Sequence, residues 1–132
     1  EQTLSIIKPD AVERNLDNEI KEIFRDKGFK IVKDKKIQIS KSEAEQFYKV
    51  HQTKPFYNDL CAYLSSGPIV VMILEKENAV LANRELMGAT NPKEANDGTI
   101  RKKYGISIDK NSVHGSDSVE NAKIEIDFFF KD

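Results

Sequence analysis

Ile69-Val70-Val71-Met72-Ile73-Leu74-Glu75 is apolar at every position until its closing carboxylate. With no polar alternation, such a run fits a strand covered on both faces and therefore central in its sheet. Ser66-Gly67-Pro68 stops what precedes it, and Asn78 opens a helix that runs through Arg84. Before Ser66, Phe56, Leu60 and Leu64 form one stripe of a short helix that Pro55 opens. Further upstream, Ser40-Lys41-Ser42-Glu43 matches a capping box, in which serine and glutamate each satisfy a free backbone N–H. The helix it starts places Ala44, Phe47, Tyr48 and His51 on one face. Phe29 to Ile39 is a second strand, and the lysines at its centre mark a solvated edge. Leu16, Ile20, Ile23 and Phe24 recur at helical spacing and Gly28 ends that helix. Thr3 to Lys8 is a mostly buried strand, with Leu4 and Ile6 on one face and Ser5 and Ile7 on the other, and Pro9 ends it.

Downstream, Met87 to Gly105 is punctuated by Gly88, Asn91-Pro92, Asn96-Asp97-Gly98 and Gly105, with Lys93, Arg101, Lys102 and Lys103 in it. An irregular segment of that length in a small domain is more often functional than idle. Asn111 to Gly115 forms a short fourth strand. Ser116-Asp117-Ser118 then caps a last helix whose core face is Val119, Ala122, Ile126 and Phe129 or Phe130. The pattern is βαββαβ with a helical insertion and an extra C-terminal helix. It predicts a ferredoxin-like α+β fold with an antiparallel four-stranded sheet. At 132 residues, with 39% hydrophobic and 33% charged side chains, the chain suits one domain spanning 1–132.

The composition narrows the function. Twenty-one basic residues against 22 acidic ones give a net charge of −1, without the basic excess that a dedicated nucleic-acid surface needs. A small anion site remains compatible with it. No apolar run approaches the roughly 20 residues of a membrane span. Glu1-Gln2-Thr3 opens no secretory signal pattern. Cys61 is the only cysteine, so no internal disulfide forms; beside Leu60, Ala62 and Leu64 it reads as a core residue, and a reducing, cytoplasmic setting fits. Only two histidines occur, His51 and His114, too few for a zinc site.

Neither G-x-x-x-x-G-K-[ST] nor G-x-G-x-x-G occurs, so phosphates, if they are handled here, are held by side chains. His114-Gly115-Ser116-Asp117-Ser118 puts an imidazole at a strand end beside a helix N-terminus, where negative charge is favoured. The glycine leaves room for a bulky group to approach the ring. A neutral imidazole attacks phosphorus directly and splits one displacement into two. The same residues also suit a histidine bonded into a turn. His51 reads as structural.

Asn111-Ser112-Val113-His114-Gly115-Ser116-Asp117-Ser118 closely resembles the active-site signature of the nucleoside diphosphate kinases. Ile7-Lys8-Pro9-Asp10-Ala11-Val12, Pro55-Phe56, Ser66-Gly67-Pro68, Glu85-Leu86-Met87-Gly88-Ala89-Thr90-Asn91-Pro92 and Gly98-Thr99-Ile100-Arg101 follow the family's order along nearly the whole chain. The resemblance implies a ping-pong exchange in which Nδ1 of His114 takes the γ-phosphate of a nucleoside triphosphate and gives it to a diphosphate. It implies Mg2+ carried by the nucleotide phosphates rather than by protein ligands. Glu125 would accept a hydrogen bond from the other ring nitrogen and so fix the tautomer. Ser116 would orient that carboxylate, although capping the helix is an equally natural job for it. Lys8, Tyr48, Arg84, Thr90 and Arg101 would hold the phosphates; taken singly, each also has a bland reading in packing or surface pairing. Phe56 would stack on the base, with Leu60 and Ile108 beside it, and Asn111 would bond to sugar hydroxyls. Stacking tolerates every base, so little discrimination is expected.

Asn18 stands where the family usually has glycine, and asparagine tolerates a left-handed backbone better than most residues. Lys54 replaces the arginine usual before Pro-Phe. The end at Asp132, without the longer tail of eukaryotic relatives, looks bacterial in pattern. A homo-oligomer, tetramer or hexamer, is implied. The rivals are a ferredoxin-like nucleic-acid-binding module and a nucleotide-sensing domain without catalysis. The first exposes aromatics on its strands, whereas the strands here are aliphatic.

Overall fold

Because Ile69–Glu75 (β3) has no polar face, it has to be covered on both sides and flanked on both edges. The computed structural model, which describes residues 1–130, places it there. The chain end at Lys131 and Asp132 lies outside the described residues. The sheet has four strands in the order β2-β3-β1-β4, antiparallel throughout, with β1 at Gln2–Ile7, β2 at Lys30–Ile37 and β4 at Val113–Gly115. This is the ferredoxin-like arrangement that the sequence pattern predicts.

Alternate positions of the central strands feed two apolar layers. Ile7, Val70, Met72 and Leu74 point into one, together with Ile20 and Phe24 of α2 (Asp17–Asp26), Met87 of α5 (Ala79–Met87) and Ile100 of α6 (Ile100–Tyr104). Leu4, Ile6, Ile69 and Val71 point into the other, with Ala44 of α3 (Lys41–Phe47), Cys61 and Leu64 of α4 (Tyr57–Leu64) and Phe129 of α7 (Val119–Phe130). Each fully buried Leu, Ile or Phe in these layers contributes roughly 1.5–3 kcal/mol. The helical insertion, α3 followed by a 3-10 turn (Lys49–His51) and α4, joins β2 to β3. Its capping box forms as expected, with Glu43 N–H on Ser40 Oγ and Ser40 N–H on Glu43 Oε1, both at 3.1 Å. The lysine-rich strand β2 is an outer edge, and a bulge between Ile31 and Lys33 takes Val32 out of register with β3.

The structure corrects several expectations. Pro9 ends β1 and also starts a short helix, α1 (Pro9–Glu13), because its fixed φ suits a first helical position. Met87 to Gly105 is less irregular than its glycines suggest. It holds a 3-10 turn (Pro92–Glu94) and α6, capped by Thr99 Oγ1 accepting from Lys102 N–H at 3.3 Å. The left-handed asparagine near the first long helix is Asn15, at φ 57°, whereas Asn18 is an exposed residue within α2. Val119 is 55% exposed rather than in the core. It opens α7, and helical side chains lean toward the N-terminus, so it overhangs the end of the packed stripe. Ordered pairing on β4 begins only at Val113, since Ser112 has φ 74°.

Candidate functional site

His114 sits on edge strand β4, opposite Ile6 of β1. Its Nε2 lies 3.0 Å from Glu125 Oε1 on α7. A carboxylate only accepts, so Nε2 carries the hydrogen and Nδ1 keeps its lone pair. Ser116 Oγ donates to the same Oε1 at 2.9 Å and accepts from the Leu4 amide at 3.3 Å. The helix cap is a different residue, Ser118, whose Oγ accepts from the Asn121 amide at 3.0 Å. The two jobs open to Ser116 are therefore divided between two serines. The imidazole stands edge-on to Phe47, with ring centroids 5.3 Å apart, and to Tyr48, at 6.4 Å.

Gly115 is glycine for a reason other than room for a substrate. A Cβ there would meet the Asn83 amide and come within 2.7 Å of Met87 Cε, so it is the close approach of α5 that excludes a side chain.

Lys8, Arg101 and Arg84 lie close enough to act on one another's charge, and Arg101 reaches the start of β4. Lys8, at the end of β1, is buried and donates from Nζ to Asn111 Oδ1 at 2.9 Å. Burial, and then the neighbouring Arg101 guanidinium, lower its pKa to about 8. Arg101, on α6, donates to the carbonyls of Gly88 at 3.0 Å and Val113 at 2.9 Å. Burial and the charge of Arg84 bring its pKa down to about 10, which leaves it charged at neutral pH. Asn111 Nδ2 donates to the Thr90 carbonyl at 3.1 Å. Arg84, Thr90 and Arg101 line one cavity of about 310 Å³ with Met87, Gly88 and Ala89. Tyr48 is buried, and burial followed by the charge of Glu125 hold its pKa above the usual phenol value. Among the described residues, no carboxylate forms an ion pair with Lys8, Arg84 or Arg101. Positive charge that is partly desolvated and unneutralised is suited to an anion.

The apolar side is more open. Phe56, at the N-terminus of α4, is 47% exposed, with Lys54 Nζ 5.6 Å from its ring centroid and His51 at 6.2 Å. Leu60 is half-buried against the second apolar layer. Ile108 is exposed and lines a separate cavity of about 340 Å³ with Asn91 and Lys93. His51, expected to be structural, has a buried Nδ1 without a partner among the described residues. Its ring lies near those of Tyr48 and Phe56, and burial followed by the charge of Lys54 lowers its pKa. Its place on the helix face of Tyr48 was the signal available in the sequence. The described residues hold no cluster of three His, Cys, Asp or Glu placed to bind a metal.

The family model for nucleoside diphosphate kinase matches residues 1–132. The chain is 60% identical over 131 residues to the nucleoside diphosphate kinase of Campylobacter jejuni, covering 99% of this chain and 96% of that protein. It is 56% identical over 130 residues to that of Persephonella marina, covering 98% and 93%. A crystal structure of the Aquifex aeolicus nucleoside diphosphate kinase superposes with a TM-score of 0.98 at 40% identity, covering 99% of this chain and 95% of that one. The enzyme from Encephalitozoon cuniculi gives a TM-score of 0.96 at 38% identity, covering 100% and 90%. On the match along its whole length, at identities this high and with the same backbone, the chain belongs to the nucleoside diphosphate kinase family.

Proposed function

We propose that this enzyme exchanges phosphoryl groups between nucleoside tri- and diphosphates through a phosphohistidine at His114 Nδ1. One observation carries the reading: the Nε2 contact with Glu125 leaves Nδ1 as the free nucleophile, on the strand where Val113 holds Arg101, a cation without an ion-pair partner among the described residues. In the first half-reaction the Nδ1 lone pair attacks the γ-phosphorus, the N–P bond forms, and the bond to the bridging oxygen breaks as the diphosphate leaves. The second half-reaction reverses this with a different diphosphate. Lys8, Arg84, Arg101, Thr90 and Tyr48 take the charge on the phosphates. Phe56 stacks on the base between Leu60 and Ile108, and Asn111 serves the sugar. Phosphoryl transfer in this family uses a divalent cation. With no cluster of carboxylates among the described residues to hold one, Mg2+ arrives as the substrate's phosphate chelate. Residues 1–132 act as one domain within a cytoplasmic homo-oligomer, tetramer or hexamer. No described helix is long and apolar enough to cross a membrane.

The test is incubation with γ-labelled ATP and Mg2+, followed by acid and alkali treatment of the protein. An acid-labile, alkali-stable label is expected; its absence would refute the phosphohistidine.

Two further results are expected. Glu125→Gln should lower the phosphorylation rate by about 10–100-fold. The amide can turn its NH2 toward Nε2 and so move the imidazole hydrogen onto the attacking Nδ1. Single-turnover labelling measures this, and a rate within threefold of wild type would remove the tautomer role. The second concerns pH. Lys8 is charged below a pKa of about 8 and neutral above it. The free-enzyme kcat/KM should therefore fall as pH rises through about 8, and Lys8→Arg should carry that limb to higher pH. An alkaline limb that stays in place in Lys8→Arg would assign it to another group.

A further inference from the structure

Lys8, Asn111 and His114 stand in the proposed nucleotide cleft, and further polar groups lie buried around Ser112, next to Asn111. Asp10, on α1, is 5% exposed and its carboxylate is fully engaged. Oδ1 accepts from the Tyr63 hydroxyl at 2.5 Å; Oδ2 accepts from Ser112 Oγ at 2.9 Å and from the Arg14 guanidinium at 3.2 Å. The Asp10 amide donates back to the Tyr63 hydroxyl oxygen at 2.8 Å. Arg14 continues to the Tyr104 carbonyl at 2.6 Å and to Ser112 Oγ at 3.3 Å. Asp10 and Arg14 of α1 thus link one serine, Ser112, to Tyr63 of α4 and Tyr104 of α6, elements distant in sequence.

That serine is strained. Ser112 has φ 74°, in the left-handed region that a side chain disfavours, and it is buried. Its carbonyl accepts from the Lys8 amide at 2.8 Å. Its neighbours are Asn111, which touches Lys8 and Thr90, and Val113, whose carbonyl takes Arg101. If residue 112 relaxed to an ordinary backbone conformation, the chain would turn differently between Asn111 and His114. Both would leave their partners.

We infer that Asp10 is a positioning residue for phosphoryl transfer: held by Tyr63 and Arg14, its carboxylate keeps Ser112 left-handed and so sets Asn111 and His114 against Lys8. The inference rests on the proposed function of that cleft. Tyr63 stays protonated and able to donate, because burial and then its bond to Asp10 raise its pKa.

The experiment compares wild type, Asp10→Ala, Ser112→Gly and the double variant by single-turnover phosphorylation and by thermal midpoint. Asp10→Ala should slow phosphorylation by about 10–100-fold, the range for displacing a reacting group by an ångström or less. Glycine adopts φ 74° without strain, so Ser112→Gly should stay within about fivefold of wild type. The double variant should recover most of the rate lost in Asp10→Ala while its midpoint stays low, since the buried bonds are still missing. A purely structural Asp10 would instead tie rate to midpoint and show no recovery. That outcome, or an unchanged rate in Asp10→Ala, overturns the inference. Should Asp10→Ala fail to fold, Tyr63→Phe removes one clamping hydroxyl, and the same slowing, relieved by Ser112→Gly, is expected of it. A wild-type protein that takes no label fails the reading of the cleft itself, and the inference with it, so the two failures are told apart by the wild-type arm.

Discussion

His114→Ala should lower nucleotide exchange by about four orders of magnitude or more, the scale seen when a covalent nucleophile is removed. Nothing nearby can take over. Cys61 is fully buried, and burial raises its thiol pKa, so it offers neither access nor a thiolate. His51 belongs to the turn after α3, its Nδ1 is buried, and no carboxylate among the described residues bonds to it as Glu125 does to His114. The fold should survive, because Ser116 still donates to Glu125 when the imidazole is gone. The expected result is a folded protein that binds nucleotide and takes up no phosphate. A variant that still labels would place the carrier elsewhere.

Arg101→Met is expected to show two separable losses. Its guanidinium is the donor for the carbonyls of Gly88 and Val113, and a buried acceptor left unpaired costs roughly 1–3 kcal/mol. A lower midpoint in chemical denaturation reads that loss. The second loss is charge on the transferring phosphate, worth about 100–1,000-fold in turnover for a preorganised donor. Lysine should restore little of it, since one ammonium cannot span two carbonyls and still face a phosphate. A linked shift separates charge from shape. Arg101 helps to depress the pKa of Lys8, so Arg101→Met should move the alkaline limb of kcat/KM above pH 8. Wild-type turnover in a folded Arg101→Met protein would take this residue out of the phosphate site.

How much of this was legible in the sequence depends on whether a residue's job is local. β3 was readable because its apolar run has one physical solution, and the Ser40–Glu43 box because both partners lie within one turn. The lysines of β2 announced an edge. Short helices were harder. Neither α1 nor α6 is long enough to show an apolar stripe, and each is held by tertiary contacts such as Ile100 in the first layer. Gly115 was misread because the groups that exclude a side chain, Asn83 and Met87, arrive from α5. The ambiguity of Ser116 had the same origin: its partners are an amide on β1 and a carboxylate on α7. The candidate site residues came from resemblance rather than from periodicity. Most of them meet only when strands and helices far apart in the chain are brought together.

The pairing of β1 with β4 carries a consequence for synthesis. Residues 2–7 leave the ribosome well before residues 113–115, so β1 waits for one of its two neighbouring strands while the rest of the domain between them is made. Contacts of such long sequence separation form late, after the loop-closure entropy has been met. Lys8, at the end of β1, acquires Asn111 only at that stage, and His114 acquires Glu125 only when α7 folds back. A nascent or C-terminally truncated chain would thus carry buried-type strands and a cationic end with no enzyme to show for them. Activity should switch on with the docking of the final segment, as an all-or-none event rather than in proportion to the length translated.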